Sequence, residues 1–278
     1  MMYLRPTGLT EALAALHAQP LTVLAGGTDF YAARVSRRAA ESILDITALA
    51  ALRGVREESE GWRIGALTTW SDLLGCTLPS VFDGLRSAAR EVGGVQIQNA
   101  GTIGGNVCNA SPAADGVPAL LALDAEVELA AVDGARRLPL REFISGNRRT
   151  QRRPEELVTG LFVPRWGPDA RSLFRKLGAR RYLVISIVMV AACVEAEADG
   201  SVSRIGVAVG CCSEVAQRLS KLEAKLLGRP LTPALADLVR PDDLAPLTPI
   251  GDVRGSAEYR RDAVLTLLRR ALAELAGE

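Results

Sequence analysis

The chain has 278 residues, 48% of them hydrophobic, and its 33 basic and 32 acidic residues leave a formal charge of +1. This length exceeds the roughly 100 to 200 residues of one domain and predicts two, while the balanced charge argues against binding to nucleic acid or an anionic membrane. Because no apolar run approaches the roughly 18 residues of a membrane span and the start lacks a signal-peptide core, we expect a cytoplasmic protein without a membrane span.

The first part of the chain predicts short strands mixed with helices. Leu9, Leu13 and Leu16 recur at helical spacing, which leaves His17 on the solvated side of a first helix. After this helix, apolar runs bounded by turn residues predict three strands. A later run with helical spacing, which stops at Gly93 and Gly94, predicts a second helix. The strands are expected at 21–27, 42–46 and 62–67, and the helix at 80–94.

The remainder predicts hairpins first and helices last. Asp-Gly pairs between strand-like runs indicate turns at Asp133–Gly134 and Asp199–Gly200. A strand is expected at 156–164, a linker at 164–170, and helical segments at 214–227, 233–239 and 256–276. The pattern is that of an α+β protein with little room for regular β-α-β units, whose second domain holds a small antiparallel sheet and a helical bundle.

Cysteine and histidine are too few and too scattered for a metal centre. The five cysteines form no C-x-x-C pair and the chain has one histidine, so we expect neither an iron–sulfur cluster nor a zinc site. Acid–base and nucleophilic mechanisms rely most often on histidine, and no nucleophile motif is present. No catalytic residue is assigned, and a cofactor is expected to supply any chemistry.

A first glycine motif, "LAGGTDF" at 24–30, follows a predicted strand. Glycine reaches positive φ without steric cost and lets another group approach the main chain, so this turn can direct N–H groups at an anion such as a diphosphate. A plain strand-to-helix turn remains the alternative. Asp29 is expected to cap the next helix or accept a hydroxyl.

A second motif, "NAGTIGGNVCNASPAAD" at 99–115, is predicted to be a long loop. It carries far more hydrogen-bonding capacity than a connection needs. Neither motif matches the G-x-G-x-x-G fingerprint or the P-loop, so a Rossmann site is not supported.

Together the motifs resemble the two FAD-binding motifs of the flavoprotein subunit in the xanthine dehydrogenase / carbon monoxide dehydrogenase family of molybdenum hydroxylases. "FRKLGARRYLVISIVMVA" and "DVRGSAEYRRDAV" are similar to later family segments, so the resemblance spans nearly the whole chain. It implies a two-part FAD-binding domain of the PCMH type over 1–166, with subdomains at about 1–53 and 54–166. A C-terminal domain of the CO dehydrogenase flavoprotein type would cover 171–278.

The resemblance also implies a set of cofactor-binding residues. Lys176 would approach the flavin ring from the second domain, where a cation favours the anionic reduced form. The first motif would wrap the diphosphate of a non-covalently held FAD and the second would line its other side. These residues are Leu24, Ala25, Gly26, Gly27, Thr28, Asp29 and Phe30 on one side and Thr102, Gly104, Gly105, Asn106, Asn109, Ser111 and Asp115 on the other.

The family's complete enzymes also need a molybdenum cofactor and [2Fe–2S] clusters, for which this chain has neither the length nor the cysteines. The resemblance therefore implies an electron-transfer subunit whose partners are a large molybdenum-cofactor subunit and a small [2Fe–2S] subunit, with a dimer of heterotrimers as a higher assembly. Electrons would pass through FAD to NAD, oxygen or another acceptor. The alternatives are a stand-alone FAD-dependent oxidase of the same wider fold and a nucleotide-binding or assembly protein without electron transfer.

Five arginines between two predicted strands admit two interpretations. They form either a solvated loop or a contact with another subunit. The residues are Arg141, Arg148, Arg149, Arg152 and Arg153.

Overall fold

The structure, a computed structural model, describes residues 2–34 and 41–277. It begins with a small parallel sheet. Strand β1 (Tyr3–Leu4) and strand β2 (Thr22–Leu24) both pair with β3 (Ile43–Asp45), in the order β1-β3-β2. Helix α1 (Leu9–Ala18) joins β1 to β2 and buries its leucine face, with His17 exposed as predicted. This unit is a parallel β-α-β arrangement, which the sequence pattern did not predict.

A five-stranded antiparallel sheet forms the second unit. Its strands, in spatial order, are β4 (Val55–Glu58), β5 (Gly61–Gly65), β10 (Leu157–Pro164), β6 (Glu126–Ala131) and β7 (Gly134–Pro139). The predicted turn at Asp133–Gly134 joins β6 to β7, and the strand predicted at 156–164 is the central β10. The two edge strands are solvated, whereas all but the last residue of β10 is buried, as expected for a central position. A two-stranded hairpin of β8 (Ile144–Gly146) and β9 (Arg149–Thr150) precedes β10.

Short helices alternate with the strands of these two units. They are α2 (Thr28–Ala32), α3 (Trp70–Gly75), α4 (Asp83–Glu91), α5 (Val95–Ala100), α6 (Ile103–Asn109), α7 (Gly116–Ala122) and α8 (Leu140–Phe143). Because α6 and the end of α5 fall within the second glycine motif, the loop prediction at 99–115 was wrong for most of its length. The helix predicted at 80–94 is present as a 3-10 turn followed by α4, which ends before Gly93 at φ +54°.

The C-terminal sheet runs β11 (Arg171–Leu177), β12 (Val188–Ala196), β13 (Val202–Gly210) and β14 (Gln217–Arg218), all antiparallel. Alternate residues of β12 belong to different cores. Met189, Ala191 and Cys193 join the core of the preceding unit, whereas Val188 and the other even-numbered apolar residues face the C-terminal helices. A strand buried on both faces explains the unbroken apolar run in the sequence.

The last helix, α10 (Ala257–Leu275), confirms the prediction at 256–276 and begins where the Ser256 hydroxyl accepts a hydrogen bond from the Tyr259 N–H. The helix predicted at 214–227 is shorter than expected. Only α9 (Ser220–Leu226) is helical, because residues 217–218 pair with β13 and the Arg218 guanidinium is held by Asp124 and Glu223. The segment at 233–239 is a 3-10 helix, Pro233–Leu238.

Within residues 2–34 and 41–277, no helix combines the length and apolar character needed to cross a membrane. The same residues contain no group of three or more histidine, cysteine or acidic side chains placed to hold a metal ion.

Candidate functional site

A cleft of about 570 Å³ opens where the carboxyl end of β2 meets α6 and the β8–β9 hairpin. Ligands in sheets with parallel strands bind outside the carboxyl ends of those strands, which is where the first glycine motif begins. All seven predicted residues of that motif line the cleft. Of the residues predicted in the second motif, those on the lining are Thr102, Gly104, Gly105, Asn106 and Asn109.

The two motifs contact each other, and glycine makes this contact possible. A Cβ on Gly26 would lie 1.9 Å from the main-chain oxygen of Ala100 and 3.0 Å from Gly101 Cα. A side chain at Gly101 would also come within 3.6 Å of the Thr28 hydroxyl oxygen. The bare backbone of the first motif therefore approaches the second motif, and this close approach shapes the cleft.

Gly27 has the one positive φ among the predicted glycines, +71°, and it forms the N-cap of α2. Asp29 is the second residue of α2 and its side chain makes no capping hydrogen bond, so the expectation that it caps this helix was wrong. The first N–H groups of any helix have no intrahelical partner, and at Thr28 and Asp29 they belong to cleft-lining residues. This arrangement suits an anionic group.

Residues 66–70 hold the second motif in place through its backbone. The N–H groups of Ile103 and Gly104 donate to the carbonyl oxygens of Thr68 and Ala66 at 2.9 and 3.0 Å. The Thr102 hydroxyl caps α6 by accepting from the Gly105 N–H at 3.1 Å. Gly104 and Gly105 are helical, so positive φ does not explain them. A Cβ on Gly104 would meet the main chain of Ala66 at 2.7 Å, and this close packing explains the glycine there.

Two observations indicate that the cleft fits a dinucleotide. The Oδ1 atom of Asn106 is buried without a hydrogen-bond partner among the described residues, and buried polar atoms are normally paired. The charged lining consists of three arginines and one aspartate, a net charge of +2, which complements a diphosphate. Apolar Trp70, Val92 and Ile97 also belong to the lining.

The sequence interpretation missed the cationic side of the cleft. Arg148 and Arg152, from the arginine-rich segment, line it together with Thr150 and Arg34. Arg34 lies 3.7 Å above the Phe30 ring and pairs with Glu41. The available signal was the position of these arginines between two strands, but only the fold shows which of them turn toward the glycine motifs.

Ser111, Asp115 and Lys176 do not line the cleft. The Lys176 ammonium lies 3.0 Å from an Asp115 oxygen and 3.4 Å from the carbonyl oxygen of Glu91, whose neighbour Val92 forms part of the cleft wall. Burial raises the pKa of Asp115, while Lys176 and a 2.8 Å hydrogen bond from Ser186 oppose that rise. The Lys176–Asp115 pair thus lies behind the part of the cleft wall that Val92 forms. Ser111 accepts from the Ala113 N–H in a local turn. Cofactor contacts by these three residues stay a prediction.

Cys108 is the one cysteine on the described lining, which contains no histidine. Burial raises its pKa to about 11, so the thiol stays protonated at neutral pH and is a poor nucleophile. The cleft therefore offers no evident group for covalent attachment of a cofactor.

A family model described as the FAD binding domain in molybdopterin dehydrogenase matches residues 1–166, and a model of the CO dehydrogenase flavoprotein C-terminal domain matches residues 173–275. The chain belongs to this family of FAD-binding flavoproteins. The predicted family, α+β fold class, FAD cofactor and oxidoreductase class are thereby confirmed.

Similar proteins extend over nearly the full length. The chain is 30% identical to the nicotinate dehydrogenase FAD-subunit of Eubacterium barkeri, with 98% of this chain and 95% of that protein covered. It is 31% identical to the glyceraldehyde dehydrogenase medium chain of Sulfolobus acidocaldarius, with 99% and 98% covered. A solved carbon monoxide dehydrogenase from Hydrogenophaga pseudoflava superposes with a TM-score of 0.86 at 29% identity, covering 99% of this chain and 96% of the matched one.

Proposed function

We propose that this chain is the FAD-binding electron-transfer subunit of a heterotrimeric molybdenum hydroxylase. Its partners are a large subunit with the molybdenum cofactor and a small subunit with [2Fe–2S] clusters, and two heterotrimers would form the complete enzyme. The observation that carries the proposal is the cleft, in which both family motifs meet beside a cationic wall. Relatives named as an FAD-subunit and as medium chains support it.

The described residues supply binding and positioning. Gly27 and the start of α2 bring backbone N–H groups to the lining of the cleft, and the side-chain oxygen of Asn106 is buried without a partner among the described residues. When bound, the flavin supplies the electron-accepting and electron-donating chemistry. Asp29 is the one carboxylate on the described lining, and it is exposed, so the cleft has no buried base for a substrate of its own. This favours the subunit over the stand-alone oxidase.

Exposed apolar residues near the cleft provide a surface for an electron-donating partner. Tyr182, Leu183 and Ile185 are each about half exposed, as is Val95 at the start of α5. Gly94 lies against Leu183 and Tyr182, so the two segments are neighbours, and Ile97 of α5 lines the cleft. Apolar groups clustered in this way commonly mark protein interfaces. Electron tunnelling needs a short path, which a partner seated here would provide.

We further propose the domain limits 1–166 and 171–278, with subdomains at about 1–53 and 54–166. The end of the parallel sheet at Asp45 and the start of the antiparallel sheet at Val55 support the inner limit. A cytoplasmic location is proposed from the sequence alone.

We expect each chain to hold one FAD without a covalent bond. Acid precipitation should release the yellow colour into the supernatant, because the lining has no histidine and its cysteine is a protonated thiol. Chromatography of the supernatant should identify FAD. Colour that stays in the pellet would contradict non-covalent binding, and FMN in the supernatant would contradict a diphosphate site.

A further inference from the structure

Among the five arginines at 141–153, Arg148 and Arg152 differ from their neighbours. Both line the cleft, and neither has a carboxylate within ion-pair distance among the described residues. Arg149, by contrast, pairs with Glu214 at 3.0 Å on the solvated side of the hairpin, and Arg141 pairs with Glu142. The chain thus leaves two cationic charges without an acidic partner beside the glycine motifs.

The backbone at Arg148 and a hydrogen bond from its side chain fix the position of the guanidinium. Arg148 has φ +55°, a left-handed conformation that glycine or asparagine adopts more readily than arginine. Its N–H donates to the carbonyl oxygen of Ala110 at 2.9 Å, and its guanidinium donates to Asn109 Oδ1 at the end of α6. The turn between β8 and β9 accounts for this φ, and the hydrogen bond to Asn109 holds the Arg148 guanidinium beside the cleft.

Arg152 is a fixed charge in the same wall. Its Nη1 donates to the carbonyl oxygens of Arg153, Pro154 and Glu156 at 3.0, 3.2 and 2.7 Å, which locks the guanidinium. Burial raises the pKa of Cys108, and the positive charge of Arg152 opposes that rise. Because Cys108 lines the cleft, the positive charge of Arg152 also acts on a ligand bound there.

We propose that Arg148 and Arg152 are the cationic contacts for the phosphates of the dinucleotide in this cleft. The inference rests on the proposed FAD site. Arg148 supplies guanidinium N–H groups to a phosphate oxygen in a charge-assisted hydrogen bond, and Arg152 supplies a fixed positive charge. The glycine motifs contribute backbone N–H groups, so the phosphates receive neutral donors from one side and charge from the other.

The test is flavin affinity of the full-length chain, in the complex with which it is purified, after flavin has been removed by dialysis. Arg148→Gln should weaken FAD binding about 10-fold, the usual loss for one charge-assisted hydrogen bond. Its FAD affinity should also depend less on salt, because one charge contact is gone. Arg152→Gln should lower the affinity in the same direction, and Arg148→Lys should retain part of it.

Three controls make the outcome specific. Arg149→Gln changes the adjacent arginine, which lies off the cleft, and should bind FAD as wild type does. Riboflavin has no phosphate, so its affinity should be equal in wild type and Arg148→Gln. Arg148→Gly suits φ +55° and should show the same FAD loss without a loss of thermal stability.

Equal FAD affinity in Arg148→Gln and Arg149→Gln would overturn the inference, as would parallel losses for FAD and riboflavin. A wild-type chain that fails to take up FAD would overturn the proposed function and this inference with it, so the two failures are distinguishable.

Discussion

Gly26→Ala is expected to strip the chain of most of its flavin. A Cβ at this position would lie 1.9 Å from the Ala100 oxygen and 2.7 Å from the Ala100 carbonyl carbon, far inside contact distance. Both are main-chain atoms, so relief requires that one motif move away from the other. Overpacking of this kind lowers the free energy of unfolding by about 1–3 kcal/mol. The backbone that would have to move forms part of the cleft wall, so flavin binding should suffer as well. Flavin content per chain after purification should fall at least about 10-fold.

Gly75→Ala is the matched control. Gly75 ends α3 and has no positive φ, and no described atom lies within 4 Å of the position that an alanine methyl would occupy. Alanine should therefore be accepted there without loss of flavin. Full flavin occupancy in Gly26→Ala would show that contact between the two motifs does not shape the cofactor site.

Lys176→Met is expected to destabilise the fold by about 3 kcal/mol, because it leaves the Asp115 carboxylate buried without its cation. The side chains are 6% and 11% exposed, and the Nζ–Oδ2 distance is 3.0 Å. Without Lys176, the pKa of Asp115 should rise further, since burial already raises it. Adding Asp115→Asn should recover part of the loss, because the uncompensated charge is then removed. Chemical denaturation of flavin-free protein measures the wild type and both variants.

Lys225→Met provides the comparison, since Lys225 and Asp243 lie 3.1 Å apart but the lysine is 35% exposed. Because solvent reaches the lysine, this pair should contribute less than the buried one, about 1 kcal/mol. If Lys176→Met and Lys225→Met lowered the free energy of unfolding equally, Lys176 and Asp115 would not act as a buried pair.

Local patterns predicted most elements correctly where one rule dominates. The turns at Asp133–Gly134 and Asp199–Gly200 and the long α10 followed directly from turn chemistry and helical spacing. Residues 217–218 were mispredicted because edge pairing with β13 outweighs helix propensity, a contact between segments that no local window contains. The parallel pairing of β1 and β2 with β3 was not predicted, because it too is a contact between distant segments.

In the site, too, local patterns predicted some features, and contacts between distant segments determined the others. The glycine motifs were recognisable as a site, but the reason for Gly26 lies in the contact with Ala100, far along the chain, and local spacing cannot show it. Polarity suggested a loop at 99–115, whereas the capping bond of Thr102 and the packing of Gly104 on Ala66 make much of it helical. Arg148 and Arg152 became distinct from Arg149 only once the β8–β9 hairpin was placed against α6.

The most direct test of the electron-transfer role follows the flavin absorbance under anaerobic conditions, in the isolated chain and in the complex with its partner subunits. Purines, N-heterocycles and aldehydes are the substrates to supply. We predict that the complex bleaches its flavin with its own substrate, while the isolated, FAD-loaded chain stays yellow with all three classes because the described cleft has no buried base. Rapid bleaching of the isolated chain by any of these substrates would contradict the subunit role and favour the stand-alone oxidase.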